Sequence, residues 1–289
     1  MVVCYQKGLE MLKNWKKKLS LLIIFLFSAN SFAEDDVFHA NNDVLFKANF
    51  QTVSQPSSGK RGAYPGTFNR HVTYNGKTYT YYVSIPPSYT PNNPMPLLFT
   101  WHGAAGAGTA PSNAKAMRDF WQPTGDVNNF IVVAQAATGE LGGGWVPDRD
   151  VAILDLILEN MYRYYNIEKT RIYAHGFSAG GHILHALMLF NSQEFAAYIV
   201  SAGVLEAYAG TNAPFSASRK IPLYISVGTF DTSGPNLRNL SRSNHQVFIN
   251  AGWVDNQNLW INEFSGGHQI DYNLPQKAWG KIGTFTNQD

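Results

Sequence analysis

Beyond Cys4 the chain has no cysteine, which excludes disulfides, thiol nucleophiles and cysteine-ligated metal sites from everything downstream. Stability there has to come from core packing. Charge is also scarce: acidic and basic residues make up 15% of the sequence, with 22 Lys and Arg against 20 Asp and Glu for a net of +2. So even a balance leaves no electrostatic footprint for nucleic acid. No apolar run reaches the roughly 18 residues of a membrane-spanning helix. Clusters with metal-ligand spacing, phosphate-cradling glycine loops and internal repeats are missing as well, so neither a metal nor a cofactor is expected.

The N-terminus reads as a secretory signal over residues 1–33. Lys13 and Lys16 to Lys18 form a basic region, Leu19 to Ser28 an apolar core, and Ser31-Phe32-Ala33 a small-x-small cleavage site. Met11 is an alternative start, because the basic region would otherwise be unusually long. Cys4 lies ahead of the apolar core, where it cannot serve as a lipid-attachment site, so no stable membrane anchor is expected and the mature protein is placed outside the cell or in a periplasm. Removing 33 of 289 residues leaves 256, enough for one sizeable core. Five lysines and one glutamate leave with the signal, so 17 basic and 19 acidic residues remain, a net of −2. Residues 34–66, rich in Asn, Ser, Gly and Pro, read as a polar leader with little structure of its own. Residues 67–289 are read as one catalytic domain, expected to act as a monomer.

Within that domain Asn75-Gly76 separates the alternating runs HVTY and KTYTYYVSI, a strong signal for a hairpin with a type I′ turn. Strand-like runs follow near 96, 130, 171, 196, 223 and 258, and helical patterns near 113, 151, 180, 239 and 275. That alternation predicts an α/β architecture: a mostly parallel, doubly wound sheet with an antiparallel N-terminal hairpin, helices on both faces, and ligands at the carboxyl ends of the strands.

The most informative stretch is Arg171 to Gly181, RIYAHGFSAGG, where a strand-like run meets Gly176-Phe177-Ser178-Ala179-Gly180 ahead of the helix-competent HILHALMLF. This is a G-x-S-x-G nucleophile elbow in the context it requires. The sharp strand-to-helix turn lifts the Ser178 hydroxyl clear of the sheet and places the Ala179 amide at a helix N-terminus, ready to stabilise an oxyanion.

In such sites the acid and then the base follow the serine in chain order. Of the histidines after Ser178, His182 and His185 share one face of the following helix and suit packing or a solvated surface, and His245 lies in a helical pattern. His268, in the loop Ser265-Gly266-Gly267-His268 after LWINEFS, is the expected base. LYISVG delivers Asp231 to the same sheet edge as the expected acid, with a turn-forming role as its alternative. Glu206 is the fallback, and Asp255 and Asp271 are weaker. PLLFTW opens into the small-residue loop that begins His102-Gly103-Ala104, so the Ala104 amide is the expected second oxyanion donor and His102 a structural residue.

The run from Asp148 to Leu189, together with His102-Gly103, Gly228 to Asp231 and Gly266 to His268 in matching order, resembles the poly(3-hydroxybutyrate) depolymerase and feruloyl esterase group of α/β-hydrolases. The resemblance spans roughly residues 68 to 285. It implies an α/β-hydrolase fold and a serine carboxylester hydrolase with Ser178, Asp231 and His268 as its triad, acting on short-acyl, feruloyl or hydroxyalkanoate esters, small or polymeric. Between the strands near 196 and 223 only Val204 to Lys220 intervenes, too short for a large lid. Trp101 and Trp145 are candidates for aromatic walls of the substrate site, with core packing as the alternative for each. A serine peptidase and a catalytically inactive binding module are the competing functions.

Overall fold

In the computed structural model, residues 55–289 are described, apart from Ala63, Ala105, Leu141, Gly142 and Pro235. The expected signal, Cys4 and residues 34–54 of the leader lie outside them. Strands β1 (Gly66–Tyr74) and β2 (Lys77–Ile85) form the expected hairpin. Its turn residues Asn75 and Gly76 sit at φ 47° and 74°, the left-handed pair that a type I′ turn requires.

Six further strands complete one sheet: β3 (Met95–Trp101), β4 (Ile131–Gln135), β5 (Ile167–Phe177), β6 (Ala197–Ser201), β7 (Leu223–Gly228) and β8 (Leu259–Phe264). The order is β1-β2-β4-β3-β5-β6-β7-β8. The hairpin joins antiparallel through β2 and β4, and every later pairing is parallel. Strands β3, β4, β6 and β7 are buried along their whole length, which is why they appear as continuous apolar runs rather than alternating ones.

Side-chain alternation splits the core into two layers. On one face Leu97, Phe99, Val133 and Ile225 pack with Ile153, Leu154 and Ile157 of α2 (Pro147–Tyr164) and with Ile183 and Leu187 of α3 (Ala179–Phe190). On the other, Leu98, Val132, Tyr173 and Tyr224 meet Trp121 of α1 (Ala110–Asn128) and Leu274, Ala278 and Trp279 of the C-terminal helix. Between β6 and β7 lie a single 3₁₀ turn, Leu205–Ala207, and the four-residue α4 (Ala213–Ser216), so no large lid is inserted between these two strands. Helices α5 (Leu237–Asn250) and α6 (Leu274–Ile282) follow β7 and β8. No described helix is long and apolar enough to cross a membrane.

The leader, expected to have little structure of its own, is described from residue 55. It carries no helix or strand in its described part, yet residues 57–62 are fastened to the junction between α2 and β5. The Ser57 hydroxyl donates to Tyr165 O at 2.6 Å and accepts from the Ile167 amide at 2.8 Å, and the Gly62 amide donates to Tyr164 O at 2.8 Å. At Gly59 the approach is too close for any side chain, since a Cβ would lie 2.5 Å from Tyr162 O. Over residues 57–62 these polar groups are therefore satisfied by the domain.

Candidate active site

Ser178 follows β5 at φ 49° and ψ −118°, a conformation that is strained for any residue with a side chain. Two hydrogen bonds hold it there, its amide donating to Ser201 O of β6 and its carbonyl accepting from the His182 amide, both at 2.8 Å. The flanking glycines are required sterically: a Cβ on Gly176 would sit 2.5 Å from Gly180 O, and one on Gly180 would sit 2.6 Å from the carbonyl oxygens of Trp101 and His102.

Asp231 is buried just beyond the carboxyl end of β7. One carboxylate oxygen accepts from the Ser233 amide at 3.1 Å and the other faces His268 Nδ1 at 2.9 Å. His268 reaches this point because its loop folds back over the end of β7, with the Phe230 amide donating to Gly266 O at 2.9 Å. Contact is so close that a Cβ on Gly228 would lie 2.3 Å from both Gly266 O and Gly267 O. His268 Nε2 then stands 2.9 Å from Ser178 Oγ. An ionised carboxylate only accepts, so Nδ1 carries the imidazole proton and Nε2 is free to take the serine proton. The imidazole is 31% exposed, leaving the hydroxyl side accessible from solvent.

The other acidic candidates have partners of their own. Glu206 accepts from Asn244 Nδ2 at 2.9 and 3.0 Å, and Asp255 faces His245 Nε2 at 3.0 Å. Asp271 accepts from Lys277 Nζ at 2.8 Å and Asn262 Nδ2 at 3.1 Å, tying the far end of the histidine loop to α6 and β8. Burial alone would raise that carboxyl, but Lys277, the Asn273 amide and Asn262 hold it below its usual range. The buried histidines are structural. Burial pushes His175 down to about 3, His182 to about 4 and His185 to about 3, and also lowers His102, so all four are neutral at neutral pH.

The loop after β3 packs directly on the elbow. A Cβ on Gly103 would lie 3.2 Å from Ser178 Cβ, and one on Gly180 would lie 2.6 Å from the carbonyl oxygen of His102, so the loop that carries His102 and Gly103 lies against the elbow. As the first residue of α3, Ala179 has an amide with no partner inside the helix. Its neighbour His102 Nδ1 donates to Gly103 O at 2.6 Å, and Nε2 accepts from the Ala137 amide at 3.1 Å.

Trp101 and Trp145 are corrected by the structure. They are 0% and 3% exposed, and their rings pack on each other at 4.6 Å, so neither walls a substrate site. Trp101 Nε1 donates to Gln135 Oε1 at 3.0 Å, and Trp145 Nε1 to His102 O at 2.8 Å. Behind them lies a residue that sequence reasoning left without a role. Asp150 is fully buried and accepts from the amides of Val146 and Thr138, fixing both loops that reach His102. Burial pushes its carboxyl up to about 7 against the opposing pull of those amides. The only signal for it is its place in the Asp148 to Leu189 run.

No protein-family model matches the chain. It is 27% identical over 167 residues to a probable feruloyl esterase C of Aspergillus niger, covering 57% of this chain. The chain thus spans 59% of the length of that curated relative. Among solved structures, a ferulic acid esterase superposes with a TM-score of 0.61 at 16% identity, over 76% of this chain and 98% of that one. A putative dipeptidyl aminopeptidase IV from Bacteroides ovatus superposes with a TM-score of 0.59 at 15% identity, over 76% of this chain and 36% of that one. The chain has the α/β-hydrolase fold.

Proposed function

We propose that this chain, an α/β-hydrolase by fold and similar in sequence to feruloyl esterases, is an exported carboxylic ester hydrolase that works through an acyl-enzyme. One observation carries the proposal: Asp231, His268 and Ser178 form an unbroken hydrogen-bonded line, with 2.9 Å at each step, ending in an accessible hydroxyl on a strained turn. Ser178 Oγ attacks the ester carbonyl carbon while His268 Nε2 takes its proton, and Asp231 holds the tautomer and stabilises the imidazolium. The tetrahedral oxyanion is met by the amides of Ala179 and Ala104. Collapse breaks the carbon–oxygen bond, His268 returns the proton to the departing alkoxide, and a water activated by the same imidazole hydrolyses the acyl-enzyme. No metal or cofactor is needed to balance these steps.

Substrate choice follows from the short connection between β6 and β7. An open mouth suits short-acyl, feruloyl and hydroxyalkanoate esters, including those displayed on a polymer. Export rests on the apolar segment of residues 19–28 behind its basic flank. The likeness to an aminopeptidase keeps amide cleavage as the competing reading, because one fold hosts both chemistries.

A fluorophosphonate probe tests the nucleophile, with labelling expected on Ser178 and lost in Ser178→Ala. A parallel panel of aryl esters, methyl ferulate, feruloylated sugars, polyester films and peptides tests the class. Turnover of peptides but not esters would overturn the ester reading, and an unlabelled Ser178 would overturn the mechanism.

A further inference from the structure

We infer that Phe177, the residue before the nucleophile, is a positioning residue for His268 whose ring favours the protonated imidazole during acyl transfer. The inference rests on the reading of Ser178 and His268 given above. The Phe177 and His268 rings lie with centroids 5.2 Å apart and planes inclined by 31°, an offset arrangement within the range of favourable aromatic pairs. The same separation is inside the distance at which a cation is drawn to a ring face. In the reaction His268 becomes a cation when it takes the Ser178 proton, so this attraction grows along the reaction coordinate, where it lowers the barrier.

Phe177 is able to hold an orientation because it is itself held. It packs against two buried clusters, one of Tyr82, Ala114, Met117 and Ala134 and another of Ala202, Val204 and Leu237. The loop after β3 closes a further side: a Cβ on Gly103 would lie 2.9 Å from Phe177 Cδ1, so only glycine leaves room for the ring. One side chain therefore touches the oxyanion loop and the base together.

The charged and titratable groups around the imidazole are few. Asp231 faces it from the end of β7 and Ser178 from the elbow. From α3 comes His182, pushed to about 4 by burial, with its Nδ1 accepting from the Val204 amide at 2.9 Å. His102 stands on the oxyanion loop, also neutral. Arg238 joins Asp231 through its backbone amide, while its guanidinium is paired with Glu263 at 3.0 Å. None of these is altered by substituting Phe177, so a change in the pH profile reports the ring.

The test compares wild type, Phe177→Leu and Phe177→Tyr by kcat/KM for an aryl acetate across pH, with fluorophosphonate labelling of each. Leucine keeps an apolar group over the imidazole but removes the π face. We expect its acidic limb to move down by about 0.4 to 0.7 pH units and its plateau to fall roughly twofold to fivefold. Phe177→Tyr keeps the ring and the wild-type limb. An acidic limb in Phe177→Leu that stays in place or moves up, with Ser178 still labelled, would sink the inference. Should the leucine variant not fold, Phe177→Met gives the same comparison. Absence of label from wild-type Ser178 would instead overturn the function on which the inference rests, so the two failures are distinct.

Discussion

Trp145 donates its indole N–H to the carbonyl oxygen of His102 at 2.8 Å, so a core side chain supports the oxyanion loop from behind. Its amide neighbours are in turn fixed by Asp150, which links Val146 and Thr138. The loop that would meet the substrate is thus set by buried groups rather than by its own small residues.

Trp145→Phe keeps most of the packing and removes that donor, leaving a buried carbonyl unpaired at a cost of about 1–3 kcal/mol. We expect a lower melting temperature and a several-fold fall in kcat, with KM for a short ester nearly unchanged. A KM defect without a kcat defect would restore Trp145 to the substrate wall.

Asp231→Asn removes imidazolium stabilisation and permits the wrong histidine tautomer, so kcat should fall by roughly 10³ to 10⁴. Glu206→Gln should change kcat little, since its carboxylate is held by Asn244. The reverse ranking in steady-state kinetics would move the acid to the connection after β6.

Gly228→Ala places a methyl where two backbone carbonyls already lie 2.3 Å away, and backbone cannot yield as a flexible side chain would. The histidine loop has to lift. We expect loss of ester turnover greater than the accompanying loss of stability, read from kcat against a thermal melt. A fully active, stable variant would show that the loop closes less tightly than described.

The Asp150 carboxyl, pushed up to about 7 by burial, binds its proton more tightly folded than unfolded. The folded state therefore holds more protons between about pH 4 and 7, and stability falls as pH rises through that window. Asp150→Asn cannot ionise but loses an acceptor for one of the two amides. Its stability deficit should be largest near the acidic end and shrink toward neutrality. Chemical denaturation at several pH values checks this, and a deficit that grows with pH would contradict it.

Without a lid there is little enclosed surface to bury a long acyl tail, which would otherwise gain up to about 0.8 kcal/mol for each methylene. We expect kcat/KM to peak at acetyl to butyryl esters and to decline by octanoyl, with no jump at the micelle threshold. A steady rise to palmitoyl esters would mean a hidden acyl tunnel and would end the feruloyl or hydroxyalkanoate reading.

Legibility in the sequence followed the range of the forces involved. Ser178, Asp231 and His268 each stand just past an apolar run, so a parallel sheet alone brings them to one edge, and Asn75-Gly76 specifies its turn from two residues. Trp101 and Trp145 were ambiguous because an indole beside glycines has the same local pattern facing core or solvent. What buries Trp145 is a carbonyl 43 residues away. The fastening of the leader had no local sign for the same reason: Gly59 and Gly62 lack side chains and so let the chain lie against Tyr162, Tyr164 and Tyr165, a contact that local composition does not encode. Asp150 gave no sign of burial, since its two amide partners are set by loop conformation.

That fastening of residues 57–62 fixes where a tether would act. Ser57 binds at Ile167, where β5 begins, and Ser178 lies just past its other end, a strand of 11 residues away. At about 3.3 Å per residue the separation is on the order of 35 Å. A force applied to the chain at Ser57 therefore acts on the end of β5 remote from the Ser178 hydroxyl.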